Sequence, residues 1–156
     1  MILPPDFKEL LEELARAKVE FLLIGGYAVA FHGRPRATKD IDILLQGDGE
    51  NLARAARALT TFGAPPSVTA SIASMQPTDV IYLGQPPMRV DFLRTIDGVE
   101  PDKLFASAIL TEIDGIRFKV IALDDLIRNK RVSARPQDLI DADFLEKIQS
   151  RSMHKH

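Results

Sequence analysis

The sequence predicts a mixed α/β (α+β) domain with a helical C-terminal part. Short apolar runs that alternate with period two are interspersed with runs that have helical spacing. Two glycine-containing turns join neighbouring strand patterns, and the last part of the chain, from about residue 123, has helical patterns alone. We therefore expect one domain over residues 1–150, followed by a tail over residues 151–156.

The first half of the chain alternates between helices and strands. Asp6 and Glu9 have the spacing of a capping box at the start of the first helix. The elements predicted up to residue 78 are a helix from residue 6, a strand over 21–24, a helix over 27–32, a strand over 39–45, a helix over 50–62, and an irregular stretch over 63–78. This last stretch could form a loop over a functional site.

The second half of the chain contains two hairpin signals. One is Gly84-Gln85-Pro86-Pro87, and the other is Asp114-Gly115, a strong two-residue turn. Pro136 favours the first position of the final helix. The elements predicted from residue 79 are strands over 79–83 and 88–93, a helix over 101–109, strands over 110–113 and 116–121, a helix over 123–132 capped by Asp124 or its neighbour, and a helix from 136 to about 148.

Composition excludes several classes of protein. The 156 residues carry a net charge of −2, which argues against gripping nucleic acid through bulk charge. There is no cysteine, so disulfides and thiolate metal sites are excluded. No apolar run approaches transmembrane length, and the N-terminal residues are too few for a signal peptide. We expect a cytoplasmic protein without a membrane partner.

Two aspartates lie inside the second predicted strand. Asp40 and Asp42 share one face, opposite Ile41 and Ile43, with their Cα atoms roughly 6.5–7 Å apart. Burying unpaired carboxylates costs several kcal/mol, so such a pair calls for a cation. Mg²⁺ prefers oxygen ligands and leaves other positions to water and phosphate. The alternative is a strand edge with two solvated aspartates.

A third carboxylate is expected on a neighbouring strand. Asp91 is the best candidate, because it lies between the apolar residues Val90 and Phe92. The alternative for Asp91 is a salt bridge to Arg89 or Arg94. Asp79 is better explained as a turn cap.

A glycine pair stands where the first strand meets a helix. Gly25 and Gly26 would let backbone N–H groups approach a phosphate, although a tight turn needs the same residues. The residues beyond this helix that could hold phosphate or be ordinary loop side chains are Arg34, Arg36, Thr38 and Lys39.

The remaining polar and aromatic candidates have simpler explanations. Tyr27 is expected to be a packed aromatic rather than a nucleobase stacker, and His32 a helix-end side chain that packs beside Phe31 rather than a base. Lys130 lies near a helix end, where a cation is favoured by the helix dipole, and Asp138 follows in the next helix.

These patterns resemble the nucleotidyltransferase superfamily that includes DNA polymerase beta. The resemblance rests on the apolar strand, Gly25-Gly26, a short helix, Asp40-x-Asp42 and the later Asp91. The fuller run over residues 24–42 and the C-terminal stretch 121–141 look more narrowly like the small bacterial branch related to the AbiEii toxins. The resemblance spans about residues 21–145, and it implies a nucleotidyltransferase-like mixed sheet flanked by helices.

The resemblance also implies a reaction and a site. An acceptor hydroxyl attacks the α-phosphate of a nucleoside triphosphate such as ATP, and pyrophosphate leaves. Asp40 and Asp42 would bind Mg²⁺, or Mn²⁺ in its place, and Asp91 would act as a metal ligand or general base. Lys130 would contact phosphate as a catalytic residue. The nucleotide-binding residues would be Gly25, Gly26, Arg36, Thr38, Lys39 and Asp138.

The partners implied are a nucleoside triphosphate and an acceptor that is RNA, protein or a small molecule. A toxin–antitoxin or phage-defence setting, with a cognate partner protein, belongs to the same interpretation. Two alternatives stay open from the sequence. One is a non-catalytic nucleotide-binding antitoxin or regulatory partner on the same fold, and the other is a metal-dependent hydrolase that uses the same carboxylates.

Overall fold

The structure is a computed structural model that describes residues 3–34, 40–85 and 88–154. Helices and strands alternate through the first half, as expected, and two helices close the chain. In these ranges the elements are α1 (Pro5–Arg16), β1 (Phe21–Ile24), α2 (Gly25–Phe31), β2 (Asp40–Leu45), α3 (Gly49–Phe62), α4 (Pro66–Ala73), β3 (Val80–Gln85), β4 (Met88–Leu93), α5 (Pro101–Ser107), β5 (Ile109–Ile113), β6 (Ile116–Val120), α6 (Leu123–Ser133) and α7 (Pro136–His154).

The strands form one mixed sheet in the order β3-β4-β2-β1-β6-β5. Hairpins β3–β4 and β5–β6 form its two sides, and β1 and β2 run antiparallel at its centre. The pairs β2–β4 and β1–β6 are parallel and join the hairpins to the centre. This architecture confirms the predicted mixed sheet flanked by helices.

Strand β2 buries one face and presents the other to the site. Ile41 and Ile43 have no exposed surface, because they point into the core under the sheet. Asp40 and Asp42 are partly exposed on the opposite face, as their period-two spacing predicts. Core and site therefore use alternate residues of the same strand.

The β5–β6 turn has the conformation that its sequence predicts. Asp114 and Gly115 have φ angles of 53° and 80°, so both lie in the left-handed region that a two-residue hairpin of this type needs. The hairpin lies on the far side of the sheet from Asp40 and Asp42, beyond β1.

The stretch over 63–78 was predicted to be irregular, and that prediction is wrong. It contains α4, which begins at Pro66 after Pro65 and buries Ile72. Proline fits the first turn of a helix, since the N–H groups there have no intrahelical acceptor. Helix α4 packs against α3 and β3 and lines no part of the cavity described below, so it does not lie over the site.

Several helix ends also differ from the predictions. Helix α1 begins at Pro5 and α6 at Leu123, and neither has a side-chain cap, so Asp6 and Asp124 do not cap them. Helix α2 begins at Gly25 rather than at residue 27, and α5 ends at Ser107 because β5 begins two residues later. Helix α7 continues to His154, past the predicted end near residue 148.

A membrane-spanning helix would have to be long and apolar, and the described part of the chain contains none.

Candidate active site

An open cavity of about 820 Å³ lies where β1, β2 and β4 meet the turn between α6 and α7. The lining combines carboxylates, the glycine pair and two cations from α6 and the turn after it, Lys130 and Arg135, which we call the cationic wall. The lining residues are Ile24, Gly25, Gly26, Asp40, Asp42, Asp91, Leu93, Thr95, Ile96, Asp97, Asn129, Lys130, Ser133, Arg135, Pro136, Gln137 and Asp138.

The three predicted carboxylates meet on one face of two neighbouring strands. Asp42 pairs in register with Asp91 across the parallel β2–β4 ladder, and Asp40 lies two residues earlier on β2. Burial raises the pKa of Asp42 to about 7, with further contributions from the negative charges of Asp91 and Asp40. This face of the sheet therefore concentrates negative charge that a cation would relieve.

Arg89 provides a cation to two of these carboxylates. Its Nε lies 2.8 Å from Oδ1 of Asp91, and its Nη2 lies 3.2 Å from Oδ2 of Asp91 and 3.3 Å from Oδ2 of Asp40. The salt bridge to Arg89, an alternative left open for Asp91, is therefore present, whereas Arg94 donates to the carbonyl of Met75 instead. In the described ranges, no three acidic or histidine side chains are arranged to hold a metal ion.

Gly25 makes room for Asp42. Its φ of 68° lies in the left-handed region, and a Cβ built on it would overlap Oδ2 of Asp42 and lie 2.9 Å from the carboxylate carbon. Any other residue at this position would push the Asp42 side chain out of place. The glycine thus has a role toward the carboxylate that the sequence interpretation, which assigned it to phosphate, did not include.

The cationic wall is organised by Asp138. This buried carboxylate accepts hydrogen bonds from Nζ of Lys130 at 3.2 Å, from Oγ of Ser133 at 2.9 Å and from Nε of Arg135 at 2.8 Å. Burial alone would raise the pKa of Asp138, but the hydrogen bonds from Arg135 and Ser133 and the charge of Lys130 outweigh it and lower the pKa to about 2. Asp138 is therefore ionised and holds both cations at the cavity.

Most predicted site residues line this cavity. They are Gly25, Gly26, Asp40, Asp42, Asp91, Lys130 and Asp138. Arg36, Thr38 and Lys39 lie outside the described residues, so their predicted contact with nucleotide stays a prediction.

Four other candidates have structural roles. Arg34 forms an ion pair with Asp141 and does not line the cavity. Tyr27 is buried with its ring edge-to-face against Phe7, and His32 packs against Phe31, as expected. Asp79 accepts a hydrogen bond from the backbone N–H of Gln76, in agreement with its assignment as a turn cap.

The sequence interpretation missed several polar residues that line the cavity. Ser133 and Arg135 lie within five residues of Asp138, so their proximity in sequence was a usable signal. Thr95, Asp97 and Asn129 lack such a signal, because their positions depend on how the segment after β4 meets α6. There, Nδ2 of Asn129 donates to the carbonyl of Asp97 at 3.0 Å.

The mixed sheet and a glycine-lined cavity with carboxylates on adjacent strands define a domain of the nucleotidyltransferase type. A family profile described as "Nucleotidyl transferase of unknown function (DUF2204)" matches residues 5–155. The chain belongs to this family, and the expectation of a transferase is confirmed.

Solved structures show the same fold at low identity. The lincosamide antibiotic adenylyltransferase LnuA, bound to lincomycin, is 17% identical, with a TM-score of 0.63 and coverage of 94% of this chain and 98% of its own. A candidate nucleotidyltransferase from Thermotoga maritima, TM1012, is 17% identical, with a TM-score of 0.59 and coverage of 96% of both chains. ANT(2'')-Ia in complex with adenylyl-2''-tobramycin is 16% identical, with a TM-score of 0.54 and coverage of 95% and 96%. A comparison with curated protein sequences gives no significant match.

Proposed function

We propose that this chain transfers a nucleoside monophosphate from a nucleoside triphosphate to an acceptor hydroxyl, with Mg²⁺ as cofactor and Mn²⁺ as its substitute. One observation carries the proposal: Asp40, Asp42 and Asp91 line the same cavity as Lys130 and Arg135. Clustered carboxylates suit a divalent cation, and a cationic wall suits phosphate. Together they match the two charged parts of a metal-bound triphosphate.

The residues of the cavity fit Mg²⁺ in their chemistry. The donors are carboxylate oxygens, which this ion prefers, and Gly25 leaves the space that the Asp42 carboxylate occupies. Asp40 and Asp42 would hold the ion, with Asp91 beside them. Asp40 and Asp91 would then have to give up their ion pairs with Arg89. When bound, the ion would supply positive charge to the carboxylates and the triphosphate.

The triphosphate would lie between the glycine pair and the cationic wall. Lys130 would donate to a phosphate oxygen, and Arg135, on the other side of Asp138, would supply a second cation. Asp138 would orient both side chains and would not itself contact the phosphate groups. Gly26, the neighbour of Gly25 in the cavity wall, would allow close approach of the backbone.

The acceptor hydroxyl would approach from the side of Asp91. Asp91 would take the proton as the hydroxyl oxygen forms a bond to the α-phosphorus, and the bond from that phosphorus to the bridging oxygen breaks as pyrophosphate leaves. The acceptor class is RNA, protein or a small molecule. The solved relatives named for lincosamides and tobramycin support including small hydroxylated molecules, and the resemblance to AbiEii toxins supports a setting with a cognate partner protein.

The test is transfer of label from α-³²P nucleoside triphosphates in the presence of Mg²⁺ or Mn²⁺. The acceptors would be lincomycin, tobramycin, total RNA and the chain itself. We expect labelled product with equimolar pyrophosphate, and loss of both in Asp40→Asn and Asp42→Asn. Asp48→Asn, which removes an exposed carboxylate from the turn after β2, is the matched control. Release of inorganic phosphate instead of pyrophosphate would indicate hydrolysis and contradict the proposal.

The Arg89 contacts favour a second candidate function. With Arg89 between Asp40 and Asp91, the carboxylates are partly neutralised without metal. Such a chain could bind nucleotide as a regulatory partner without turnover. Calorimetry with a nucleoside triphosphate separates the two functions: metal-independent binding that is unchanged in Asp42→Asn would favour the regulatory protein.

A further inference from the structure

Asp141 is a fully buried carboxylate behind the cationic wall. It lies on α7, three residues after Asp138, so the two side chains emerge from the same side of the helix. Asp141 Oδ2 lies 3.7 Å from Nζ of Lys130, and Asp141 Oδ1 accepts a hydrogen bond from Nε2 of Gln137 at 2.9 Å. Lys130 therefore lies between two carboxylates, although only Asp138 lines the cavity.

Arg34 approaches Asp141 from a distant part of the chain. Its Nε lies 3.1 Å from Oδ1 of Asp141, and its guanidinium lies 4.8 Å from the ring centre of Phe144 on α7. The backbone N–H of Arg34 donates to the carbonyl of Val29 in α2, at 3.2 Å. Arg34 thus joins the end of α2, which begins at the glycine pair, to the helix that orients Lys130.

The charges in this cluster show what Arg34 adds. Lys130 faces two carboxylates, which by themselves would more than neutralise it. Arg135 pairs with Asp138 and Arg34 pairs with Asp141, so the five side chains carry a net charge of +1 beside the cavity. Arg34 therefore offsets part of the attraction that Asp141 exerts on the Lys130 ammonium, and so favours its direction toward the cavity.

We infer that the Arg34–Asp141 ion pair positions Lys130, so that its ammonium group points toward the phosphates of a nucleoside triphosphate. The inference rests on the proposed function, since it assigns Lys130 to phosphate. Arg34 and Asp141 are positioning residues, because neither lines the cavity.

The test measures binding of α,β-methylene-ATP with Mg²⁺ by calorimetry. The variants are Arg34→Gln, Arg34→Lys, Asp141→Asn and the double variant Arg34→Gln/Asp141→Asn. The matched controls are Arg131→Gln and Asp143→Asn, since Arg131 and Asp143 form an exposed pair between the same two helices. The thermal unfolding midpoint of each variant, measured without nucleotide, separates changes in stability from changes in binding.

We expect Arg34→Gln to weaken binding about tenfold, because the uncompensated charge of Asp141 would attract Lys130 more strongly away from the phosphates. Arg34→Lys should restore part of the affinity, because lysine keeps the charge but not the planar fork. Asp141→Asn should not weaken binding, because it removes the carboxylate that competes with phosphate for Lys130. The double variant should bind more tightly than Arg34→Gln, since there is no Asp141 charge left for Arg34 to offset.

Two results would overturn the inference. One is unchanged or tighter binding by Arg34→Gln, and the other is a folded double variant that binds no better than Arg34→Gln. If Asp141→Asn does not fold, the comparison of Arg34→Gln with Arg34→Lys decides, because Arg34 is partly exposed. Absence of binding by the unmodified chain would instead contradict the proposed function and the inference with it.

Discussion

Asp42 shows how one half-buried carboxylate couples the site to stability. Its pKa of about 7 in the folded chain lies well above the value of 3.8 in the unfolded chain, because burial and the neighbouring Asp91 and Asp40 disfavour its charge. A group whose pKa is raised on folding costs stability as the pH rises from its unfolded pKa through its folded pKa. The charged form that would bind a cation is therefore the form that destabilises the metal-free fold.

We expect the free energy of unfolding of Asp42→Asn, relative to that of the unmodified chain, to be a few kcal/mol higher at pH 8 than at pH 4. The size follows because one pKa unit corresponds to about 1.4 kcal/mol. Urea denaturation of both proteins at pH 4, 6 and 8 measures this difference. Asp48→Asn controls for the loss of one carboxylate. A difference between Asp42→Asn and the unmodified chain that stays constant with pH would contradict the expectation.

Arg89 occupies the carboxylates that a divalent cation would need. We expect Arg89→Gln to bind Mn²⁺ more tightly, roughly fivefold to tenfold, because the change removes a competing positive charge next to Asp40 and Asp91. Calorimetry with Mn²⁺ alone measures the affinity. Arg117→Gln, on the exposed face of β6, is the matched control. Weaker Mn²⁺ binding by Arg89→Gln would show that Arg89 supports the cation site rather than competes for it.

At the scale of elements, the turn between α6 and α7 depends on one carboxylate. Ala134 has a φ of 55°, a left-handed conformation that a side chain rarely adopts. Asp138 accepts hydrogen bonds from Ser133 before this residue and from the backbone and side chain of Arg135 after it. Asp138 thereby stabilises the junction at which α7 leaves α6.

Asp138→Asn is expected to lower the free energy of unfolding by about 2 kcal/mol at pH 7. The pKa of Asp138 is lowered on folding to about 2, so its contribution is present above pH 4 and is lost as the pH falls toward 2. The variant and the unmodified chain should therefore converge in stability in acid. Denaturation followed by circular dichroism at pH 7 and pH 3 provides the comparison, and an equal loss at both values would argue against this account.

The sequence predicts elements best where a local rule decides the structure. The alternation of Asp40 and Asp42 with Ile41 and Ile43 identifies the site face of β2, and Asp114-Gly115 identifies a hairpin. Helix α4 was not predicted, because its small residues and Pro65-Pro66 are typical of loops. Its stability comes instead from packing on α3 and β3, which are contacts that a local pattern does not reveal.

At the scale of the whole molecule, long-range pairing limits what the sequence can reveal. The sequence predicts that Asp42 and Asp91 lie on neighbouring strands. Their direct pairing depends on the order and register of β2 and β4, which the sequence alone does not specify. Arg89 was considered for Asp91 and not for Asp40, since the parallel pairing that joins Arg89 to Asp40 has no local signature. The contact of Arg34 with Asp141 joins the end of α2 to α7, and no pattern within either segment indicates it.

Nucleotide binding should stabilise the whole fold, because the site joins the sheet to α6 and α7. We expect a non-hydrolysable ATP analogue with Mg²⁺, at about 100 times its dissociation constant, to add roughly 2.7 kcal/mol. That corresponds to a rise of about 5–10 °C in the thermal unfolding midpoint for a chain of this size. Scanning fluorimetry with an added dye measures the shift, and Asp40→Asn/Asp42→Asn should abolish it. A rise of equal size in that variant would place the ligand elsewhere.

The parallel pairing of β1 with β6 has a consequence for the order of folding. Leu22 and Leu23 pair with Lys119 and Val120, so β1 gains its parallel neighbour only after a long stretch of chain has followed it. Contacts between distant parts of a chain slow folding, because a long loop must close before they form. During translation, Gly25 and Asp42 therefore emerge long before Lys130 and Asp138, and the pocket can form only after α6 and the start of α7 have left the ribosome.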